Sequence, residues 1–113
     1  MLQLQKPLTM AESQLLIQCI TDLQSSFANT SNQYFVKHTA LISAKQKLLS
    51  QVYDCFYREE ITNMVFALDC FCRKCNAHLS GNISPEDAAI IGKNLRIAAS
   101  AHTKLKQSYV NMF

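Results

Sequence analysis

Residues that interrupt helices are scarce in this sequence. It has two glycines and two prolines among 113 residues, and none of either between Gln33 and Arg58. Glycine and proline are the strongest breakers of helices, so a chain that lacks them favours long helical segments. Hydrophobic residues recur at the three- and four-residue spacing of one helix face, and we find no alternating pattern typical of strands. The sequence therefore predicts an all-α fold.

Four amphipathic helices are predicted from the positions of these hydrophobic stripes. They cover about residues 10–29, 33–57, 60–79 and 85–112. Short connections between amphipathic helices are typical of antiparallel neighbours that bury their stripes together. We therefore expect a single domain, residues 1–113, folded as an antiparallel up-and-down four-helix bundle.

The helix ends carry signals of different strength. Thr9 and Glu12 have the spacing of a capping box at the start of the first helix. Ser84 followed by Pro85 is typical of the start of a helix, and Gly81 suits the left-handed position after a helix end. Between the second and third helices, a shift in stripe phase predicts a tight connection near residues 58–60, with one bent helix as the alternative.

Composition excludes several classes of protein. The chain is 49% hydrophobic and 17% charged, with a net charge of +3, as in an ordinary globular domain. No apolar run reaches about 18 residues and no signal-peptide pattern begins the chain, so we expect no membrane span. Five cysteines without a loop-rich disulfide framework favour reduced thiols and a cytoplasmic location.

The segment DCFCRKCNAH, residues 69–78, is the one stretch with the composition of a chemical site. On a helical wheel, Cys72 and Cys75 fall inside the hydrophobic stripe, whereas Cys70 points to the other side. The three thiols cannot meet one metal ion while the helix stays intact. We therefore predict a sulfur-rich core face with no metal and no cofactor. An ion shared by Cys72 and Cys75 with Cys19 or His102 is the alternative.

Three polar residues interrupt the hydrophobic stripes, namely His38, Lys45 and His102. They indicate an internal polar pocket, unless Lys45 extends to the rim and His102 is hydrogen-bonded at the edge of the core. No nucleophile motif, glycine-rich phosphate loop or paired-carboxylate arrangement accompanies them. We therefore expect no enzyme activity.

Two surface features suggest partners. Phe66 and Cys70, with Ala77 beyond them, are predicted to lie on the third helix opposite its core stripe, and Val36 adds to them from the second helix. Such an apolar ridge favours a protein partner, and a second copy of the chain in particular.

A basic strip on the fourth helix offers a different function. It consists of Lys93, Arg96 and Lys104, and exposed basic side chains in a row can contact phosphates. The main hypothesis is a small cytoplasmic protein-interaction module, either a regulator, an adaptor or an inhibitor, that acts through exposed helix faces as a homo-oligomer. The alternative is a nucleic-acid-binding accessory protein that uses the basic strip weakly.

Overall fold

The protein is all-α in the part of the chain that the computed structural model describes, residues 2–28 and 38–110, with side chains over 2–25 and 39–107. Four helices and two very short strands follow one another along these residues. They are β1 (Leu2–Gln3), α1 (Met10–Ala28), α2 (His38–Leu49), β2 (Cys55–Phe56), α3 (Arg58–Leu79) and α4 (Pro85–Val110).

The predicted starts of the first and fourth helices are confirmed. Thr9 N–H donates to Oε1 of Glu12 at 2.7 Å, and Glu12 N–H donates to the Thr9 hydroxyl at 3.1 Å, which completes the capping box. Pro85 is the first residue of α4, and the Ser84 hydroxyl accepts from Asp87 N–H at 3.2 Å. Side-chain oxygens thus satisfy backbone donors that have no partner inside the helix.

The second helix ends much earlier than predicted. Gln51 has a left-handed backbone with φ of 62°. Around it, Val52 N–H donates to the Lys47 carbonyl at 2.8 Å and Gln51 N–H to the Leu48 carbonyl at 3.1 Å. These two bonds form a Schellman motif, which ends a helix and usually carries glycine in the left-handed position. The predicted helix to residue 57 is wrong, and so are the tight connection at 58–60 and the bent helix.

Gly81, where glycine suggested a left-handed turn, has no positive φ. The third helix ends instead at Ser80, whose N–H donates to the Asn76 carbonyl at 3.1 Å, and Gly81 N–H donates to the His78 carbonyl at 3.2 Å. The predicted end of the helix is confirmed, but the predicted conformation of Gly81 is wrong.

The N-terminal segment is held against the connection between α2 and α3. β1 and β2 pair antiparallel. Beyond the paired residues, Leu4 N–H donates to the Asp54 carbonyl at 2.7 Å and Leu8 N–H to the Tyr53 carbonyl at 2.9 Å. Leu4, Leu8 and Phe56 are buried. A segment with no strand pattern in the sequence therefore becomes part of the core, which corrects the expectation that no strand is present.

α3, like α1, packs against all three of the other helices. Its middle turns are buried or half-buried on all sides except at Thr62. The largest fully buried side chains are Leu16, Ile20, Leu41, Leu48, Phe56, Ile61, Met64, Leu68 and Leu105.

The left-handed residue at the end of α2 generates a stability prediction. We expect Gln51→Gly to stabilise the fold by about 1 kcal/mol, because glycine has no Cβ to oppose a positive φ. Gln51→Val should destabilise it by a similar amount. Urea denaturation of the full chain measures both free energies of unfolding.

Ser50→Gly is the matched control, because Ser50 has no positive φ and should gain nothing from glycine. Equal effects of glycine at positions 50 and 51 would contradict the assignment of the strain to Gln51.

Candidate functional site

The first half of α4 is packed more loosely than the second half. From Pro85 to Ile97 no side chain is fully buried, whereas Ala98, Ala101 and Leu105 are buried in the core. This first half nevertheless contains isoleucines at 90, 91 and 97. Apolar side chains without full cover are the usual mark of a contact surface when several lie together.

A groove runs between α1 and the first half of α4, with a volume of about 500 Å³ and an open side to solvent. Each helix contributes residues at positions i, i+3, i+4 and i+7, which is one face of a helix. We call it the α1/α4 groove. Its lining residues are Ala11, Gln14, Leu15, Gln18, Ile90, Lys93, Asn94 and Ile97.

The floor of the groove is apolar and its rim is polar. Leu15 and Ile97 are half-buried, and Ile90 is 60% exposed. Amide and amine side chains flank them on both helices. An apolar floor of this size with a few polar groups around it is the usual character of a binding cleft.

A second depression of about 250 Å³ extends the groove toward the start of α1. It shares Ala11 and Ile97 with the first part, so the two are continuous. Arg96 and Ser100 from α4 and Glu12 from α1 complete its wall. The combined surface therefore follows α4 from Ile90 to Ser100.

The exposed charged side chains that line this surface are both positive. Lys93 and Arg96 are exposed. Among the described residues, Glu12 is the one acid that lines the groove or its extension, and its side chain is 3% exposed and pairs with Lys104 at 2.7 Å. That lysine neutralises the glutamate, so the exposed charges among the lining residues are those of Lys93 and Arg96. Asp22 lies beside the groove, since its Oδ1 accepts from Nε2 of the lining residue Gln18 at 3.0 Å.

Glu12 combines a helix cap with an ion pair between helices. Burial raises the pKa of Glu12, but the Lys104 amine, the nearby Ser100 hydroxyl and the Thr9 N–H outweigh it and hold the pKa below its ordinary value. Oε2 is buried without a hydrogen-bond partner in the described residues.

Glu60 repeats the arrangement at the start of α3. Oε1 accepts from Lys47 Nζ and from Tyr57 N–H, each at 2.6 Å, and Oε2 accepts from the Ser43 hydroxyl at 2.5 Å. The Lys47 amine also lies 4.4 Å from the centre of the Tyr57 ring. Burial raises the pKa of Glu60, but these donors and the lysine charge outweigh it and lower the pKa.

The predicted basic strip is only partly present. Lys93 and Arg96 are exposed, but Lys104 is 17% exposed in its ion pair and also donates to the Pro7 carbonyl at 3.1 Å. The prediction that Lys104 is a free surface cation is wrong. Its partners lie on α1 and in the segment before α1. A helical wheel of α4 alone cannot show partners from other parts of the chain.

Two of the three predicted pocket residues, Lys45 and His102, lie on helices that make little contact with each other. His102 Nε2 lies 3.1 Å from Oδ1 of Asp69 on α3. Lys45 is half-buried on α2, a helix that makes little contact with α4. The side chain of His38 lies outside the described side chains. This separation argues against a pocket shared by Lys45 and His102, while the hydrogen-bonded His102 at the core edge is confirmed.

The predicted apolar ridge does not lie opposite the core. Phe66 and Cys70 are half-buried and pack against the core, because α3 has neighbours on three sides. Ala77 is exposed, and Val36 lies outside the described residues. The predicted placement of Phe66 and Cys70 is wrong, and self-association stays a prediction.

The cysteine-rich segment remains helical throughout, as predicted, since residues 69–78 lie within α3. Burial, with nearby negative groups, raises the pKa of Cys19 to about 12, and burial also raises the pKa of Cys72 and of Cys75. Cys19 and Cys70 line a cavity of about 20 Å³, enough for about one water molecule. Among residues 2–28 and 38–110, no three acidic, histidine or cysteine side chains are arranged to hold a metal ion.

Sequence reasoning missed the α1/α4 groove. Ile90 falls outside the stripe that Ile91, Leu95 and Ala98 form along α4. An isoleucine beside the stripe, with Ile97 seven residues later on the same side, was the available signal. It identifies one wall only, because the other wall depends on which helix packs next to α4.

Comparisons with known proteins give no relatives. No family model matches the sequence, and no curated protein or solved structure is significantly similar to it. In the described residues, no helix combines the length and the apolar character needed to cross a membrane.

The Lys47–Glu60 pair generates the prediction for this part of the molecule. We expect Lys47→Met to destabilise the fold by about 2 kcal/mol at pH 7, because it leaves a buried carboxylate without its counter-charge. The matched control is Lys45→Met on the same helix, which should change the free energy of unfolding by no more than about 0.5 kcal/mol. Chemical denaturation of both variants measures the difference.

Acid should remove this difference. Because the pKa of Glu60 is lowered from 4.5, the pair stabilises the fold above that pH and loses its effect as the pH falls through the folded-state pKa. A Lys47→Met penalty that is equally large after Glu60 is protonated would contradict the ion-pair assignment.

Proposed function

We propose that this protein is a small helical protein-interaction module that binds a helical segment of another protein in the α1/α4 groove. The observation that carries the proposal is the incomplete burial of α4 before Ala98, which leaves apolar side chains facing an open groove. A helix laid into a hydrophobic groove is a common mode of peptide recognition. Whether it serves as a regulator, an adaptor or an inhibitor, the module acts by binding a helix of its partner protein.

The polar interior supports a binding role over a catalytic one. A general acid or base needs a titratable group with a pKa near the working pH and a free proton position. The two buried glutamates have lowered pKa values, and each forms an ion pair with a lysine. Both carboxylates stay ionised at neutral pH and are committed to holding helices together.

The proposal includes an up-and-down antiparallel arrangement of the helices. Glu12 in the first turn of α1 meets Lys104 in the second half of α4, and Glu60 in the first turn of α3 meets Lys47 in the last turn of α2. Pairs between the start of one helix and the later part of another are expected for antiparallel neighbours. In this arrangement α1 and α4 lie side by side along the groove.

A reducing compartment such as the cytoplasm suits this module. All five cysteines are free thiols, and raised pKa values at three of them keep those thiols protonated and slow to oxidise. The proposal places the protein there with a protein partner.

A peptide selection tests the proposed function. A displayed library of 18-residue amphipathic helices is selected on the full-length protein, and the enriched peptides are measured by fluorescence anisotropy. We expect Ile90→Glu to weaken binding at least about ten-fold, because it places a charge on the apolar floor. Ile42→Glu is the control, since Ile42 is 47% exposed on α2, outside the groove.

Circular dichroism establishes that both variants are folded. Three results would contradict the α1/α4 groove as the binding surface. They are an equal loss of affinity in the two variants, full affinity in Ile90→Glu, and a selection that enriches no peptide.

A further inference from the structure

We propose that the occupant of the α1/α4 groove is an amphipathic helix whose polar face is acidic. This inference rests on the proposed function and adds the chemical class of the partner. It follows from the shape of the groove, the charge of its rim and the distribution of acids in the chain itself.

The shape of the groove fits a third helix. Both walls are helix faces, and their side chains form ridges at the spacing that another helix can pack into. The surface follows α4 from Ile90 to Ser100, and ten residues of helix extend about 15 Å. A partner helix of about three turns, with apolar residues at i, i+3 or i+4, and i+7, covers that length.

The rim of the groove selects for acidic side chains. Lys93 and Arg96 are three residues apart on α4, so they lie on neighbouring turns of one edge. In the part of the chain that the structure describes, no acid lines the first part of the groove, and the acid in the extension, Glu12, is already neutralised by Lys104. A helix with carboxylates flanking its apolar face gains two ion pairs there, whereas a basic helix meets two like charges.

A second copy of this chain does not supply such a helix. Two of its eight acidic residues, Glu12 and Glu60, are buried in ion pairs. Glu86 and Asp87 belong to the first turn of α4. With the rest spread over other elements, no helix presents a row of acids beside an apolar stripe. A net charge of +3 on each copy also opposes self-association through a basic rim.

A single-stranded nucleic acid matches the groove less well. Proteins that bind single strands stack bases on aromatic side chains, and no aromatic residue with a described side chain lines the groove or its extension. Phosphates would engage the rim cations and leave the apolar floor uncovered. The floor and the rim together therefore favour a helix.

Defined probes test the inference by fluorescence anisotropy on the full-length protein. One 18-residue peptide places leucines on one face and glutamates on the other, a second replaces the glutamates by lysines, and a third scrambles the order of the first. We expect the glutamate-faced peptide to bind at least about ten-fold tighter than either of the others. Its advantage over the lysine-faced peptide should shrink as salt rises.

Charge reversal provides the decisive variant. Lys93→Glu combined with Arg96→Glu should reverse the preference, so that the lysine-faced peptide binds tighter. Arg73→Glu combined with Lys106→Glu makes the same change in net charge at exposed residues outside the groove, and should keep the preference for the acidic peptide.

Each contrary result has a separate meaning. If the two amphipathic peptides bind with equal affinity and neither binds Ile90→Glu, the acidic character of the partner is overturned. The groove remains the binding surface in that case. If neither peptide binds, the proposed function is overturned as well. Oligo-dT binding that depends on Lys93 and Arg96 but not on Ile90 would replace the helix by a nucleic acid. A dimer in light scattering that Ile90→Glu dissociates would replace it by a second copy.

Discussion

Two buried glutamates, Glu12 and Glu60, set the arrangement of the helices. Each caps the start of one helix through a backbone N–H and pairs with a lysine from a different helix. Removing a carboxylate from water costs several kcal/mol, and such a pair is stable only when hydrogen bonds and a counter-charge offset that cost. Each lysine must therefore lie beside its glutamate. This fixes the helix that carries the lysine relative to the helix that carries the glutamate.

The same constraint accounts for the groove. Lys104 ties the second half of α4 to Glu12 and to the Pro7 carbonyl, in the part of α4 where Ala98, Ala101 and Leu105 enter the core. The first half of α4 has no such attachment to α1 in the described residues. Before Ala98 no side chain of α4 is fully buried and Ile90 is exposed, so the apolar opening lies along the less tightly packed half of the helix.

Sequence patterns correctly predicted the features that depend only on residues close together in the chain. The capping box at Thr9 and the start of α4 at Pro85 are local, and both are confirmed. The end of α2 was missed because its left-handed residue is Gln51, which gives no glycine signal. The burial of Phe66 and Lys104 was missed because a helical wheel assumes that a helix packs on one side only. It then assigns every residue on the other side to solvent. α3 has neighbours on three sides, and Lys104 has partners about ninety residues away in sequence.

A double-mutant cycle tests most directly whether the glutamate–lysine pairs hold the helices together. The free energies of unfolding of Glu12→Gln, Lys104→Met and the double variant are compared with that of the unmodified protein. We expect a coupling of at least about 1.5 kcal/mol at pH 7. Because the pKa of Glu12 is lowered, the coupling should vanish only when the pH falls below that pKa. A coupling under about 0.5 kcal/mol at pH 7 would contradict the account.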